Sequence, residues 1–319
     1  MKAYLLNEVG GVENLILTDV ERPLVKDNEV LVQNKAISIN PVDVKTRISP
    51  DFLNMILGTE PPVILGWDFA GTVSAVGKHV TRFAPGDSVF GMVNFPGHGK
   101  AYAEYVVAPD SQLAHIPKSS SFRDAAATTL AALTALQVLQ SYVKYGDRVL
   151  INGGSGGVGH FAIQIAKHFG AYVISTSSKK NKDFVMSLGA DEHVDYQRDS
   201  VEDIASEIDF VLDTVGGEAL ENALKVVKNG GAVISLPNPQ FPKEVIDHAE
   251  KHDIEVSFFT VLSNGNDMNC LKDMLGNGVL KPHISKVFVF EEIATAHSYI
   301  ESGRTVGKVI VTLESAIQT

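Results

Sequence analysis

The stretch that decides the fold is Arg148–Phe169, RVLINGGSGGVGHFAIQIAKHF. It begins with an apolar strand pattern, Val149–Asn152, that runs directly into a cluster of glycines, and the apolar residues that follow recur at the spacing of one buried helix face. Strand, glycine turn and helix in this order are typical of a dinucleotide site, because glycine lets the backbone approach the pyrophosphate and the helix N-terminus offers free N–H groups. The glycines fit G-x-G-G-x-G rather than the usual G-x-G-x-x-G. The prediction therefore rests on their position between a strand and a helix. The residues expected to bind the dinucleotide here are Gly154, Ser155, Gly156, Gly157 and Val158.

Length and charge limit the possible classes of protein. A chain of 319 residues suggests about two domains. A formal net charge of -11 argues against binding to nucleic acid or to an anionic membrane. The single cysteine, Cys270, excludes an intrachain disulfide and argues against a cysteine-based zinc site. With no signal-peptide pattern and no apolar run long enough to span a membrane, we expect a cytoplasmic protein.

Strand and helix patterns divide the chain into a β-rich part and an alternating part. Residues 1 to about 118 contain short β-branched runs separated by Gly and Pro, which favours a barrel-like or sandwich-like unit. One alanine-rich helix is predicted over Arg123–Tyr142, capped by Ser121. A final strand, Gly307–Leu313, is expected to rejoin the β-rich part. Between them, six strands alternate with helices, which predicts a doubly wound parallel α/β sheet with strands at Arg148–Asn152, Tyr172–Thr176, His193–Tyr196, Phe210–Thr214, Ala232–Leu236 and Glu255–Val261.

Six motifs occur in order along nearly the whole chain: GWDFAGTVSAVG (66–77), FAPGDSVFGM (83–92), AYAEYVVAP (101–109), AAATTLAALTALQVL (125–139), NGGSGGVGHFAIQIAK (152–167) and GRTVGKVIV (303–311). Together they resemble the medium-chain dehydrogenase/reductase superfamily, and most closely its zinc-free quinone oxidoreductase and enone reductase branch. The resemblance implies a Rossmann domain over residues 120–261. It also implies a split, β-rich, GroES-like catalytic domain over residues 1–119 and 262–319, and a homodimer formed through the edge of the nucleotide domain near residues 232–262.

Two departures from the zinc alcohol dehydrogenases of that superfamily bear on the chemistry. Asn40 and Trp67 stand where the resemblance places a cysteine and a histidine ligand, and the four-cysteine zinc lobe is missing. Neither side chain is a usable zinc ligand. We therefore expect no metal, and hydride delivery to an acceptor that is already electrophilic, such as a quinone or an α,β-unsaturated ketone or aldehyde.

The segment after the second strand of the alternating part favours NADPH over NADH. Dinucleotide folds that prefer NAD usually carry an acid about 20 residues beyond the glycines, where it binds the ribose 2′-hydroxyl. Here Ser177, Ser178 and Lys179 occupy that place, and the first acid is Asp183. Hydroxyls and cations suit a 2′-phosphate, although a solvated lysine run is the alternative. The resemblance adds Tyr196 near the same phosphate.

The nicotinamide end is assigned mainly from the resemblance. It places Thr134 near the nicotinamide and the backbone of Phe258, Phe259 and Val261 beside the carboxamide, although core packing is an equal alternative for the two phenylalanines. Further residues expected at the cofactor are Val215, Leu236 and Lys308.

The segment SINPVDVKTR (38–47) supplies candidates for catalysis. Hydride transfer to an enone places negative charge on the carbonyl oxygen, which needs a hydrogen-bond donor, and the α-carbon then needs a proton. Asn40 could donate to the carbonyl, and Lys45 could donate or relay a proton. Asp43 could orient Lys45 if the segment is extended, because residues two apart then share a side. Water as the proton source, and Lys45 as a surface lysine, remain alternatives.

Aromatic side chains complete the expected site, with Trp67 and Tyr102 as flat walls of the acceptor pocket. Two other functions remain open from the sequence. One is an NADPH-binding protein without significant catalysis, acting as a sensor or with RNA, although the acidic charge weakens the RNA version. The other is a reductase of enoyl thioesters, for which no basic patch is visible.

Overall fold

A computed structural model describes residues 1–313 and divides them into two compact units. The β-rich unit comprises Met1–Leu133, Val261–Gly278 and the described residues from Pro282 onward. The parallel-sheet unit comprises Thr134–Thr260 and Val279–Lys281. In the described chain no helix is both long and apolar enough to cross a membrane.

The elements alternate along the chain much as the sequence pattern predicts. The strands are β1 (Lys2–Leu6), β2 (Leu15–Asp19), β3 (Glu29–Ile39), β4 (Val63–Ile64), β5 (Asp68–Val76), β6 (Ser88–Met92), β7 (Tyr105–Pro109), β8 (Leu113–His115), β9 (Arg148–Asn152), β10 (Tyr172–Ser177), β11 (Glu192–Asp195), β12 (Ile208–Asp213), β13 (Val227–Ser235), β14 (Glu255–Phe258), β15 (Ile284–Val289) and β16 (Lys308–Thr312). The helices are α1 (Pro41–Ile48), α2 (Pro50–Leu57), α3 (Phe122–Ala127), α4 (Leu130–Tyr142), α5 (Gly159–His168), α6 (Lys182–Ser187), α7 (Val201–Ile204), α8 (Glu218–Leu224), α9 (Lys243–Lys251), α10 (Gly265–Gly276) and α11 (Ile293–Glu301).

The six-stranded parallel sheet is confirmed, in the order β11-β10-β9-β12-β13-β14. The order reverses between β9 and β12, so the crevice in which sheets of this kind bind ligands lies at the carboxyl ends of these two strands. The central strand β9 is buried along Val149–Asn152, and α5 buries Phe161 and Ile165. Continuous apolar strands and a helix that is buried along most of its length therefore produce the predicted sheet.

The β-rich unit contains a seven-stranded sheet whose path is β15-β16-β3-β5-β6-β8, with β7 also paired to β3. The prediction that the last strand rejoins this part is confirmed, because β16 pairs with β3 and aligns Val309 with Ile39. On the other side of β3, Ser38 aligns with Asp68 of β5. Consequently the carboxyl end of β3 and the starts of β5 and β16 lie together.

The single helix expected over 123–142 is wrong, because α3 and α4 are separated at Thr128–Thr129. Both threonine hydroxyls donate to preceding carbonyls of α3, a local bond that competes with helix continuation. The backbone N–H of Leu130, at the start of α4, donates to the Asp68 carboxylate at 3.0 Å. The predicted cap is present, since Asp124 N donates to the Ser121 hydroxyl at 3.1 Å.

The expectation of an extended segment around Asp43 and Lys45 is also wrong, because both residues lie in the helix α1. Pro41 occupies the first turn and Asn40 with Asp43 forms a capping box, which is a sequence signal for a helix start. Residues two apart on a helix point about 200° from each other. Asp43 is fully buried and Lys45 is half-buried, so Asp43 does not orient Lys45 in the way the extended chain predicted.

Candidate functional sites

The glycine turn of the parallel-sheet unit is built for close approach of a ligand to the backbone. A Cβ on Gly154 would lie 1.9 Å from the Ser175 hydroxyl, and one on Gly159 would lie 2.2 Å from the Gly153 carbonyl oxygen. Helix α5 has no side-chain cap at its N-terminus. The N–H groups of Gly157 and Val158 donate to no residue of the described chain. These free donors and the helix dipole suit the pyrophosphate of a dinucleotide.

The predicted 2′-phosphate residues lie together at the end of β10. The backbone N–H of Tyr196 points to the Ser177 carbonyl at 3.4 Å, and the Ser177 hydroxyl is 2.8 Å from Nε2 of His193. Lys179 is exposed. The Asn181 amide donates to the Ser155 hydroxyl at 3.0 Å, which ties this segment to the glycine turn. The arrangement offers hydroxyls and ammonium groups at the strand end, although Asp195 of β11 is aligned with Ser177.

The other predicted cofactor residues are distributed between the two units. Val215 is exposed beyond the end of β12 and Leu236 directly follows β13. Phe258 ends β14 and Phe259 follows it, both partly exposed, while Thr134 is buried in α4. Val261 and Lys308 belong to the β-rich unit. Their contacts with a cofactor stay predictions.

Asp213 organises the crevice edge of the parallel sheet. Its carboxylate accepts hydrogen bonds from the backbone N–H groups of Val215 and Gly216 at 3.0–3.1 Å, from the Ser235 hydroxyl at 2.6 Å and from the Asn152 amide at 3.2 Å. The side chain has no exposed area. These bonds hold the turn after β12 in the shape that the crevice requires.

A buried polar cluster lies where β3, β5 and β16 meet in the β-rich unit. The Asn40 amide donates to the Asp68 carboxylate at 2.8 Å, and the Lys308 ammonium donates to Asn40 Oδ1. All three side chains are at most 3% exposed. The strand register brings these residues together although they are far apart in sequence. The structure thus places Lys308, expected at the cofactor, beside the candidate catalytic residue Asn40.

The charged groups of this cluster are buried, so they are stabilised by each other and not by water. Burial lowers the pKa of Lys308, and the nearby carboxyl groups of Asp68 and Asp43 counteract that shift. Burial raises the pKa of Asp68, which Lys308, Asn40 and the N–H of Leu130 oppose. The ammonium and the Asp68 carboxylate therefore stabilise each other's charged form inside the protein.

Asp43 differs from Asp68 because it has few partners. Its Oδ2 accepts the backbone N–H of Asn40 at 2.6 Å, and its Oδ1 has no hydrogen-bonding partner within the described residues. Burial raises the pKa of Asp43 to about 8, although the Asn40 N–H, the Lys308 charge and the Tyr102 hydroxyl lower it. A carboxyl group in this state changes its charge near neutral pH.

The predicted aromatic walls are both fully buried. Trp67 packs edge-on against Phe95 and donates to the Gly97 carbonyl at 2.7 Å. Tyr102 fills space left by Gly66, where a Cβ would lie 2.2 Å from the ring. Because neither ring has exposed area, their contact with an acceptor stays a prediction. Lys45 lies 5.9 Å from the centre of the Phe52 ring, and burial lowers its pKa.

Three buried polar residues near the candidate site residues were missed by the sequence reasoning: Asp68, Arg47 and His297. Asp68 had a signal, since it follows Trp67 in the GWD motif and stands at a strand start. Arg47 and His297 had none, because a buried arginine and a buried histidine 250 positions apart cannot be paired without the fold. Within residues 1–313, no group of three or more His, Cys, Asp or Glu side chains is arranged to hold a metal ion.

Comparison with protein-family models gives two matches. Residues 26–118 match the alcohol dehydrogenase GroES-like domain, and residues 188–311 match a family described as zinc-binding dehydrogenase. The first match covers most strands of the β-rich unit, and the second begins within the parallel-sheet unit.

Curated relatives align along nearly the whole chain. A 2-methylene-furan-3-one reductase of Solanum lycopersicum is 36% identical over 98% of this chain and 79% of its own length. An NADPH-dependent alkenal/one oxidoreductase of Arabidopsis thaliana, chloroplastic, is 33% identical with the same coverage.

Solved structures agree with this assignment. The quinone oxidoreductase of Coxiella burnetii superposes with a TM-score of 0.91 at 35% identity, covering 98% of this chain and 99% of that one. The Escherichia coli quinone oxidoreductase, solved in complex with NADPH, has a TM-score of 0.86 at 25% identity, covering 98% of this chain and 100% of that one. By sequence and by fold, the chain belongs to the medium-chain dehydrogenase/reductase superfamily of NAD(P)-dependent oxidoreductases.

Proposed function

We propose that this protein is a zinc-independent, NADPH-dependent reductase that transfers hydride to quinones or to α,β-unsaturated ketones and aldehydes. The observation that carries the proposal is the buried cluster of Asn40, Asp68 and Lys308, in which Asn40, at the position that the resemblance assigns to a zinc-ligand cysteine, is hydrogen-bonded to a carboxylate and an ammonium group. The named reductases among the relatives support the same acceptor classes.

The residues of the cluster supply a hydrogen-bond donor for the acceptor carbonyl. One N–H of the Asn40 amide donates to Asp68, while the one further acceptor that residues 1–313 offer to that nitrogen, the Ser38 carbonyl, is at the 3.5 Å limit of a hydrogen bond. Lys308 binds Oδ1 of the same amide, which polarises it and strengthens its donor side. Asn40 then stabilises the negative charge that develops on the carbonyl oxygen. Lys45, half-buried on α1, or a water molecule supplies the proton.

The parallel-sheet unit binds the cofactor. NADPH, when bound, supplies the hydride. The glycine turn and the free N–H groups of Gly157 and Val158 hold the pyrophosphate, and Ser177, Ser178 and Lys179 hold the 2′-phosphate.

The preference for NADPH is tested at Ser178. In the variant Ser178→Asp a carboxylate faces the 2′-phosphate, and we expect 2′,5′-ADP to bind at least about tenfold more weakly, since like charges at this distance repel. Binding of 5′-ADP should not weaken. The control Ser187→Asp adds the same charge at an exposed position of α6. Equal affinity of Ser178→Asp and the wild type for 2′,5′-ADP would contradict the assignment.

The reaction is tested by the oxidation of NADPH and NADH after treatment with EDTA, with methyl vinyl ketone, 2-hexenal, 1,4-benzoquinone and a crotonyl thioester as acceptors. We expect NADPH turnover that survives EDTA. Silence with every acceptor despite NADPH binding would favour the sensor function, and a preference for the thioester would favour the enoyl-thioester reductase.

We also propose a homodimer. Strand β14 is the edge of the parallel sheet, and such an edge offers unpaired backbone groups to a second copy. Light scattering of the purified protein measures the mass directly, and a monomeric mass across micromolar concentrations would exclude the dimer.

A further inference from the structure

Two histidines lie one helical turn apart at the C-terminal end of α9. His248 and His252 belong to the sequence His-Ala-Glu-Lys-His (248–252), in which they are four positions apart. His248 lies in the last turn of α9, and His252 directly follows the helix. Residues at this spacing share one helix face. The centres of the two imidazole rings are 4.6 Å apart, and the ring planes are inclined by 32°.

The backbone that carries the two rings is held firmly. Val245 and Ala249 of α9 are at most 5% exposed and belong to the hydrophobic core of the parallel-sheet unit. The backbone N–H of His252 donates to the His248 carbonyl at 3.2 Å, which extends the helical hydrogen-bond pattern to the second histidine. The N–H of Ile254 donates to the Ala249 carbonyl at 2.9 Å. A rigid pair of this kind loses little conformational freedom when it binds a ligand.

The two imidazole rings are partly exposed and have no hydrogen bond or ion pair with any residue in the range 1–313. The fully buried His297 differs in this respect, because its two ring nitrogens lie 3.3 Å from Nε of Arg47 and 2.9 Å from the Tyr102 hydroxyl. Imidazole nitrogen is a preferred ligand of Zn²⁺, Cu²⁺ and Ni²⁺. The two neighbouring rings on α9 therefore have the composition of a two-toothed chelator.

The ring geometry allows one cation to contact both histidines. Zn²⁺ binds histidine nitrogen at about 2.0–2.1 Å, so two such nitrogens in a tetrahedral site are about 3.4 Å apart. The nitrogens lie on the edges of rings whose centres are 4.6 Å apart. Rotation of the side chains brings one nitrogen of each ring to the required separation without moving the helix. Water then completes the coordination, because two protein ligands leave positions open.

The electrostatic surroundings of the pair favour a cation. The C-terminal end of a helix carries the negative end of the helix dipole. Glu250 and Asp253, both exposed, stand beside the histidines in the sequence and add negative charge. The listed partners of the described chain place no lysine or arginine in an ion pair with either acid, whereas Lys243 pairs with Asp247 at the other side of the helix.

We propose that His248 and His252 form a chelate site for one divalent transition cation, with Zn²⁺ or Cu²⁺ as the ligand. The site is independent of the proposed reductase function, because none of the residues predicted to bind the cofactor or the acceptor takes part in it. A reductase whose chemistry needs no zinc can carry such a site. The bound cation would stabilise the corner where α9 leads into β14, the strand at which we propose the second copy of the chain.

The test is calorimetric titration of Zn²⁺ into the untagged protein at pH 7.5. We expect one Zn²⁺ per chain in the wild type. The variants His248→Gln and His252→Gln should each bind about 100-fold more weakly, because the second ring binds the cation intramolecularly. The double variant should be no weaker than either single one, which is the signature of a chelate. The control His168→Gln removes an exposed histidine from the last turn of α5 and should bind like the wild type.

Three results would overturn the inference. They are a wild type that does not bind Zn²⁺, single variants that each keep half of the bound metal, and an equal loss of affinity in His168→Gln. One cation shared by two chains would likewise exclude a chelate within one chain.

A spectroscopic readout counts the ligands directly. Electron paramagnetic resonance of the Cu²⁺ complex should show coupling to two imidazole nitrogens in the wild type and to one in His248→Gln. Coupling to a single nitrogen in the wild type would refute the site. Both readouts report binding, so a protein without reductase activity that binds the cation would refute only the proposed function.

Discussion

Asp213 and Asp43 are both fully buried carboxyl groups, one in each unit. They differ in the number of hydrogen bonds that their oxygens accept. Both oxygens of Asp213 accept bonds, and all of the donors are neutral groups. Asp43 accepts one backbone N–H, and its Oδ1 has no partner within the described residues. The comparison teaches that a carboxylate saturated with neutral donors fixes a turn, whereas one with an open oxygen beside a lysine and a tyrosine can change its charge.

The largest expected difference is in stability. Asp213→Ala leaves the N–H groups of Val215 and Gly216 and the Asn152 amide without acceptors, and we expect it to lower the free energy of unfolding by about 3 kcal/mol or more. Asp43→Ala deprives only the Asn40 N–H, so about 1–2 kcal/mol is expected. Urea denaturation at pH 7 measures both values. Equal losses would remove the distinction between the two carboxyl groups.

The next effect concerns activity in the buried cluster. Lys308→Met removes the charge behind Asn40, and we expect kcat/KM to fall by about 100-fold, as for the loss of one donor to a developing oxyanion. The matched control Lys286→Met removes an exposed lysine from the neighbouring strand β15.

A loss of folding in Lys308→Met has its own check. The single variant leaves Asp68 as an uncompensated buried charge, whereas Asp68→Asn combined with Lys308→Met removes both charges and should recover stability without activity. Wild-type kcat/KM in Lys308→Met would contradict the role of the lysine.

The third prediction concerns pH. The pKa of Asp43 is raised to about 8, so between its ordinary value and pH 8 the folded state holds a proton that the unfolded state has released. This group therefore makes the protein less stable as the pH rises through that interval, by up to about 1.4 kcal/mol per pH unit. Asp43→Asn removes the effect, and its stability relative to the wild type should increase from pH 4 to pH 8.

His297 acts in the opposite direction. Its pKa is lowered to about 3, so below about pH 6.5 the unfolded state gains a proton that the folded state does not, and stability falls as the pH falls. In the wild type the two contributions oppose each other between about pH 4 and 6.5. Denaturation curves of Asp43→Asn should thus show a steeper loss on the acid side, while Asp51→Asn, at an exposed position of α2, should follow the wild type.

The sequence could predict features that neighbouring residues determine, but not features that depend on contacts between residues far apart in the chain. The glycine turn and the strands around it are local patterns, and β9 has the predicted bounds Arg148–Asn152. The break between α3 and α4 could not be found this way, because the Leu130 N–H bonds Asp68, which is 62 residues away. The position of Lys308 beside Asn40 depends on the pairing of β16 with β3, and no periodicity encodes that register.

Local signals were also read incompletely. The sequence Asn40-Pro41-Val42-Asp43 contains the cap, the first-turn proline and the acid of a helix start, yet the segment was expected to be extended. Because of this error Asp43 was predicted to lie beside Lys45, whereas the structure buries it in the interior. The role of Asn40 stays a prediction, and the sequence carried no information on its two partners, because both lie on other strands.

The smallest expected effect, that of Ser235→Ala, tests whether Asp213 has only a structural role. Ser235→Ala removes the hydroxyl that donates to the buried Asp213. Asp213 keeps its backbone donors when Ser235 is changed, so we expect a loss of about 1 kcal/mol in the free energy of unfolding and an unchanged pH profile of kcat/KM. A shifted profile in Ser235→Ala would show that Asp213 also changes its charge during turnover, and the division between a structural and a chemical carboxyl group would fail.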